Sequence, residues 1–169
     1  MSKSLGHHYI AGCWLSDAPN GMTPVENPSD GSVFANVPSG SEALAVQAVK
    51  SAREAFERSS WANEPRMRSA ALLEFADVLE SRADEISNLM AQENGKVLVQ
   101  ARHEVTAGFS EARYYAGVAR NIFGRTFESG AGKMSLMTRE PSGVVSVIVP
   151  WNAPVTLLIR SVAPALAAG

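Results

Sequence analysis

Cysteine is almost absent from this sequence, since Cys13 is the single cysteine among 169 residues. One cysteine cannot form an internal disulfide, a Cys-x-x-Cys redox pair or a cysteine-based zinc site. The surrounding run Tyr9–Leu15 is typical of a hairpin strand, so we interpret Cys13 as a packing side chain and not as a nucleophile. Residues 1–12 hold no apolar core of a secretory signal, and we therefore expect a reducing compartment, the cytoplasm.

The sequence also contains few histidines and carries little net charge. Two of the three histidines, His7 and His8, are adjacent, and adjacent side chains on a strand or loop point apart, so we predict no metal site. Fifteen Lys and Arg against 17 Asp and Glu leave a formal net charge of -2. Nucleic-acid binding usually requires a basic excess, and we expect no such partner.

Two common nucleotide-binding motifs are missing. Gly132-Lys133 lacks both the glycine five positions earlier and the Ser or Thr that a phosphate-binding loop needs after its lysine. No Gly-x-Gly-x-x-Gly follows a predicted strand. The longest apolar stretch, Val144–Ala168, is interrupted by three prolines, Asn152 and Arg160, so we do not expect it to span a membrane.

Hydrophobic spacing predicts short strands and loops up to Pro38, followed by three helices. The first helix has Ser39 or Ser41 as its N-cap and ends at about Arg58. The second begins at Pro65 and ends at Asn94-Gly95, and the third runs from Leu98 to near Gly124.

The pattern changes after the third helix. Residues 129–132 indicate a loop and Ser135–Arg139 an extended segment. Val144–Val149 is nearly unbroken and β-branched, which is typical of a strand buried on both faces of a parallel sheet. A loop and a helix starting at Pro154 follow, and Pro164 is expected to kink or end that helix.

The loop after this strand is the candidate site, because ligands bind beyond the carboxyl ends of strands in open α/β sheets. Asn152 could donate its amide N–H to a developing oxyanion, or it could simply cap the helix. Thr156 and Arg160 follow at four and eight residues and can face the same side. Arg160 must find water, a ligand or a carboxylate, the last of which could lie outside this sequence.

Several stretches together resemble the N-terminal part of the aldehyde dehydrogenase superfamily. The most specific are Pro150–Pro154 and Ala163–Gly169. Further matches occur in the expected order, at Ile10–Trp14, Glu26–Pro28, Gly31, Glu93–Lys96 and Arg139–Val144.

The resemblance implies an α/β chain with an incomplete aldehyde dehydrogenase fold. An N-terminal hairpin and three helices would lead into the first strand and helix of a Rossmann-like parallel sheet. Residues 1–122 would form the hairpin and helical part of the cofactor-binding domain, 123–142 an oligomerisation ribbon, and 143–169 the truncated first strand, loop and helix of the Rossmann-like unit.

The implied activity is oxidation of an aldehyde to a carboxylic acid with NAD or NADP, after attack by a cysteine thiolate. Asn152 would help to hold the oxyanion, while Ile148, Val149, Pro150 and Trp151 would line the cofactor cleft. Ala153 stands where the family commonly has an aromatic residue, which would widen the pocket. With Thr156 and Arg160 beside it, we expect an aldehyde whose far end is bulky, polar or anionic.

The family's nucleophilic cysteine and general-base glutamate lie in parts of the fold that this sequence does not match, and Cys13 aligns with neither. The chain alone is therefore expected to be inactive as a fragment of an enzyme that is a homo-oligomer, a dimer or tetramer. The alternative is a non-catalytic, truncated interaction protein that self-associates or binds full-length relatives.

Overall fold

The computed structural model describes residues 3–4 and 6–169. The N-terminal part contains five short strands, as the turn-rich sequence predicts: β1 Lys3–Ser4, β2 His8–Ile10, β3 Cys13–Leu15, β4 Met22–Glu26 and β5 Val33–Pro38. Strands β2 and β3 form an antiparallel hairpin that contains Cys13. The other three pair in the order β1-β5-β4, with β1 parallel and β4 antiparallel to β5.

Helix α1 spans Glu42–Arg58, and its start settles which serine is the cap. Ser41 Oγ accepts a hydrogen bond from the Leu44 N–H at 3.3 Å. The Ser39 hydroxyl instead bonds the hydroxyl of Thr23 at 2.7 Å. The end at Arg58 agrees with the prediction.

The single helix predicted over residues 65–94 is wrong, because the structure has two helices there. Helix α2 spans Pro65–Ser81 and α3 spans Ala83–Asn94, with the break at Arg82. The apolar spacing continues across the break and therefore conceals it, whereas Asp84 and Glu85 in the first turn of α3 mark a helix start. The predicted end is confirmed, since Gly95 has the left-handed φ of 74°.

Helix α4 spans Leu98–Val118 and stops earlier than the predicted end near Gly124. Strands β6 Arg125–Gly130 and β7 Lys133–Met137 then form an antiparallel two-stranded ribbon. The predicted loop at 129–132 is thus reduced to the turn at its tip. A Cβ on Gly124 would lie 2.2 Å from the Met137 carbonyl oxygen, so glycine is needed where the two arms meet.

The strand predicted at Val144–Val149 is not formed. Residues 144–149 have no ladder partner in the described part of the chain, and Ile148 is 91% exposed. A strand is defined by its neighbours, and a β-branched apolar sequence without them remains irregular.

Helix α5 spans Pro154–Ala168. Pro164 was expected either to kink or to end this helix. It lies inside the helix, so the second expectation is wrong.

The core lies where α2, α4 and α5 pack together. Most of its fully buried members are small, which lets the helix backbones approach closely. They are Leu72, Ala76, Ala112, Ala116, Ala119, Ile159, Ala163 and Ala167. None of the helices in the described residues combines the length and apolar character that crossing a membrane would require.

Candidate functional site

The loop before α5 is held in place by the end of α3. The Asn94 side-chain amide donates a hydrogen bond to the Trp151 carbonyl oxygen. The Lys96 ammonium donates one to the Asn152 carbonyl oxygen at 2.9 Å. Two consecutive carbonyls of the predicted site are therefore bound by side chains more than fifty residues earlier in the chain.

Glu104 of α4 caps the helix that follows this loop. Its Oε1 accepts hydrogen bonds from the backbone N–H groups of Val155 at 2.9 Å and Thr156 at 3.3 Å. Its Oε2 pairs with the ammonium of Lys96. A carboxylate at a helix N-terminus satisfies free N–H groups and interacts favourably with the helix dipole.

Asn152 itself is exposed, and the alternative that it caps α5 is wrong. The N-cap position belongs to Ala153, which has no capping side chain, and Glu104 supplies the missing acceptor. Within residues 3–4 and 6–169, no hydrogen bond involves the Asn152 amide group. The Asn152 main chain is thus fixed while its side chain faces solvent.

Thr156 and Arg160 both contact α4. The Thr156 hydroxyl donates to the Glu104 carbonyl oxygen at 3.1 Å. Arg160 Nε lies 3.3 Å from Glu111 Oε1, and the Arg160 side chain stays 58% exposed. The carboxylate that Arg160 requires is therefore present in this chain, although more than half of the Arg160 side-chain surface remains exposed.

The predicted cofactor residues lie at the surface beside Asn152. Ile148 is 91% and Trp151 79% exposed, Pro150 is exposed, and Val149 is half-buried. Ala153, in the predicted substrate pocket, is half-buried. The loop therefore presents uncovered apolar surface next to one polar amide.

Sequence reasoning missed three of the residues that shape this site. Asn94 and Lys96 lie in the Glu93–Lys96 stretch, which we interpreted only as a helix end. Glu104 lies on the buried face of α4 with Ala101 and Gly108, and its burial is evident only once the helices are packed. Among the residues that the structure describes, no cluster of three or more His, Cys, Asp or Glu could hold a metal ion.

Comparison with known proteins relates this loop and its helices to a single family. The aldehyde dehydrogenase family model matches residues 14–169. Aldehyde dehydrogenase 1 of Tanacetum cinerariifolium is 39% identical over 99% of this chain and 35% of its own length. The 3-sulfolactaldehyde dehydrogenase of Pseudomonas putida is 36% identical over 95% of this chain and 33% of its own.

Solved structures of aldehyde dehydrogenases also resemble this chain. The structure of a betaine aldehyde dehydrogenase double mutant from Staphylococcus aureus in complex with NAD⁺ superposes with a TM-score of 0.91 at 29% identity, covering 98% of this chain and 34% of that one. The chain thus spans about a third of the length of the relatives that it matches. With a family model matched over nearly all of its residues and a mixed α/β fold that superposes on part of these enzymes, the chain belongs to the aldehyde dehydrogenase family.

Proposed function

We propose that this chain is the N-terminal third of an enzyme that oxidises an aldehyde to a carboxylic acid with NAD or NADP. The observation that carries the proposal is the Asn152 loop, in which the backbone is bound by Lys96 and the side-chain amide is left exposed. A donor whose backbone is held in this way needs less reorganisation when it stabilises developing negative charge. The chain covers only about a third of the length of the relatives that it matches, which supports its assignment as a fragment.

In this proposal the Asn152 amide donates a hydrogen bond to the oxygen that becomes an oxyanion when a thiolate attacks the aldehyde carbon. The thiolate comes from a residue outside these 169 residues. Cys13 does not fit that role, because it lies on an exposed strand of the N-terminal hairpin. The 169 residues therefore contribute an oxyanion donor and binding surface, and they are inactive alone.

The exposed apolar surface fits the proposed cofactor. Ile148 and Trp151 project uncovered side chains next to the Asn152 amide, and Val149 and Pro150 complete the segment. We assign these four residues to the wall of the cofactor cleft. Bound NAD or NADP would supply the hydride acceptor that aldehyde oxidation requires.

The substrate class follows from Ala153, Thr156 and Arg160. A small side chain at 153 leaves room beside the donor, and Arg160, whose side chain is 58% exposed, offers hydrogen bonds to an anionic group. We propose an aldehyde with a bulky, polar or anionic far end. The name of the Pseudomonas putida relative, a 3-sulfolactaldehyde dehydrogenase, supports an anionic one.

We further propose that the intact enzyme is a cytoplasmic homo-oligomer, assembled through the β6–β7 ribbon. Large apolar side chains on the ribbon are exposed, as expected of a surface that pairs with another copy. They are Phe127, Met134, Leu136 and Met137.

The decisive experiment has two stages. Sequencing the gene beyond the Gly169 codon is expected to reveal a continuing frame with a cysteine-bearing catalytic segment. The enzyme expressed from that frame should reduce NAD or NADP when given an aldehyde, and Asn152→Ala should lower kcat by about 10²–10³-fold, the usual cost of an oxyanion donor.

Asn88→Ala is the matched control, because Asn88 is exposed on α3 and bonds only the carbonyl of its own helix. We expect this variant to retain full activity. Aldehyde oxidation by the purified 169-residue chain would contradict the proposal, since these residues supply no suitable nucleophile.

A further inference from the structure

We infer that Lys96 and Glu104 are positioning residues for the Asn152 amide, an inference that rests on the proposed function of Asn152. These two residues form an unusual ion pair. The Lys96 side chain is 15% exposed and that of Glu104 8%, whereas every other ion pair in the described residues leaves at least 30% of each side chain exposed. A pair this deeply buried requires an explanation.

Burying two charges is costly unless further hydrogen bonds satisfy their remaining donors and acceptors. The additional bonds of this pair all go to one short segment. Lys96 donates to the Asn152 carbonyl, and Glu104 accepts from the N–H groups of Val155 and Thr156. The charged pair therefore binds the main chain on both sides of Ala153.

This arrangement determines where the Asn152 side chain can reach. Its amide makes no hydrogen bond of its own within the described residues, so its position depends on the backbone to which it is attached. That backbone is bound at the Asn152 carbonyl and again at the first turn of α5. Misplacing a catalytic group by about 1 Å can cost about a hundredfold in rate.

A purely structural role for the pair is the competing explanation, but α5 has other support. Ile159, Ala163 and Ala167 of α5 are buried against α2 and α4, further along the helix. Arg68 also binds the carbonyl oxygen of Ala167. Loss of the ion pair should therefore disturb the loop and the first turn of α5 more than the fold.

The first test uses the enzyme expressed from the continuing frame, with Lys96→Met, Glu104→Gln and the double variant. We expect each single change to lower kcat by about tenfold to a hundredfold with a similar KM for the aldehyde, because the donor acts mainly on the transition state. The double variant should lose less than the product of the two single losses, since neither charge is left unpaired. The conservative variant Lys96→Arg should retain most of the kcat of the parent enzyme, because it keeps the positive charge.

Arg82→Met is the control, because it removes an exposed ion pair with Glu85 and should leave kcat unchanged. Melting temperatures of all variants separate misplacement from unfolding. An active parent enzyme whose kcat is unaffected by Lys96→Met and Glu104→Gln would overturn the inference.

The second test needs no activity and uses the 169-residue chain. Glu104→Ala should speed hydrogen exchange of the Val155 and Thr156 amides, while the amide of Ala163 keeps its protection. Unchanged exchange at Val155 and Thr156 would overturn the positioning role. A parent enzyme that fails to oxidise aldehydes would instead refute the proposed function, and the exchange result would still decide whether the pair orders this loop.

Discussion

The Nε of Arg68 donates a hydrogen bond of 3.0 Å to the carbonyl oxygen of Ala167, and so ties α2 to the last turn of α5. The same guanidinium donates from Nη1 to the carbonyls of Trp61 at 2.6 Å and Ala62 at 2.9 Å. Arg68 is only 4% exposed, and burial lowers the pKa of its guanidinium. Three carbonyls thus replace the water that this cation loses.

Arg68→Met should destabilise the chain by about 2–4 kcal/mol, because it removes charged hydrogen bonds and leaves buried carbonyl oxygens without donors. The free energy of unfolding, measured in urea, tests this. Arg66→Met is the control, since Arg66 lies on the same helix two residues earlier and is exposed. An equal loss in both variants would contradict the role assigned to Arg68.

Two glycines of α4 should respond oppositely to the same substitution. A Cβ on Gly108 would lie 3.2 Å from Val155 Cγ1 and 3.5 Å from Ile159 Cγ1, whereas a Cβ on Gly117 would meet nothing within 4 Å. Gly108→Leu should therefore cost about 1–3 kcal/mol through overpacking against α5. Gly117→Leu should stabilise α4 by about 0.5–1 kcal/mol through helix propensity. Thermal unfolding of both variants measures the difference.

The ion pair between Arg82 and Glu85, at the break between α2 and α3, predicts one pH effect. A hydrogen bond from Arg82, and then its charge, lowers the pKa of the Glu85 carboxyl. A lowered pKa in the folded state stabilises the protein above the carboxyl's ordinary pKa, and this contribution is lost as the pH falls through the lowered value. NMR titration should show the Glu85 pKa rising in Arg82→Ala. The stability change should be small, because the pair is exposed. An unchanged Glu85 pKa would contradict the contact.

Apolar spacing predicted α4 apart from its end, because that helix buries a continuous face. Helices α1 and α5 were located by their start signals, a serine cap and a first-turn proline. Apolar spacing failed at Arg82, where the apolar steps pass through the break and only the acidic residues after it indicate a new helix. It failed at Val144–Val149 for a different reason. The β-branched residues show that the segment is suited to a sheet. A strand also needs neighbouring strands to pair with, and the described residues contain none for this segment.

The sequence singled out Asn152 and Arg160 as candidate site residues, because polar residues are rare in that stretch, and their roles stay predictions. Glu104 and Lys96 were not singled out, since their partners lie 51 and 56 residues further along the chain, and no local pattern reports which helix end a buried carboxylate will cap. Long-range capping of this kind becomes visible only when the helices are packed.

Arg160 should determine preference between charged and neutral aldehydes. Its contact with Glu111 is exposed and weak, so an anionic substrate can compete for the guanidinium. In the intact enzyme that we propose, Arg160→Leu should lower kcat/KM for a semialdehyde carrying a carboxylate by about tenfold or more, the loss of one charged hydrogen bond. Activity on a neutral aromatic aldehyde should change little. Equal effects on both substrates would exclude Arg160 from the pocket.

The 169-residue chain should associate with itself in solution. Val145, Ile148 and Trp151 are 52%, 91% and 79% exposed within one short segment, and a patch of this kind favours contact with another apolar surface. Sedimentation velocity should show species larger than a monomer, and Ile148→Lys should shift the distribution toward monomer. Val78→Lys is the control, since Val78 is 50% exposed on α2, outside this segment, and should have no such effect. A parent chain that sediments only as a monomer and melts sharply would show that these side chains do not drive association.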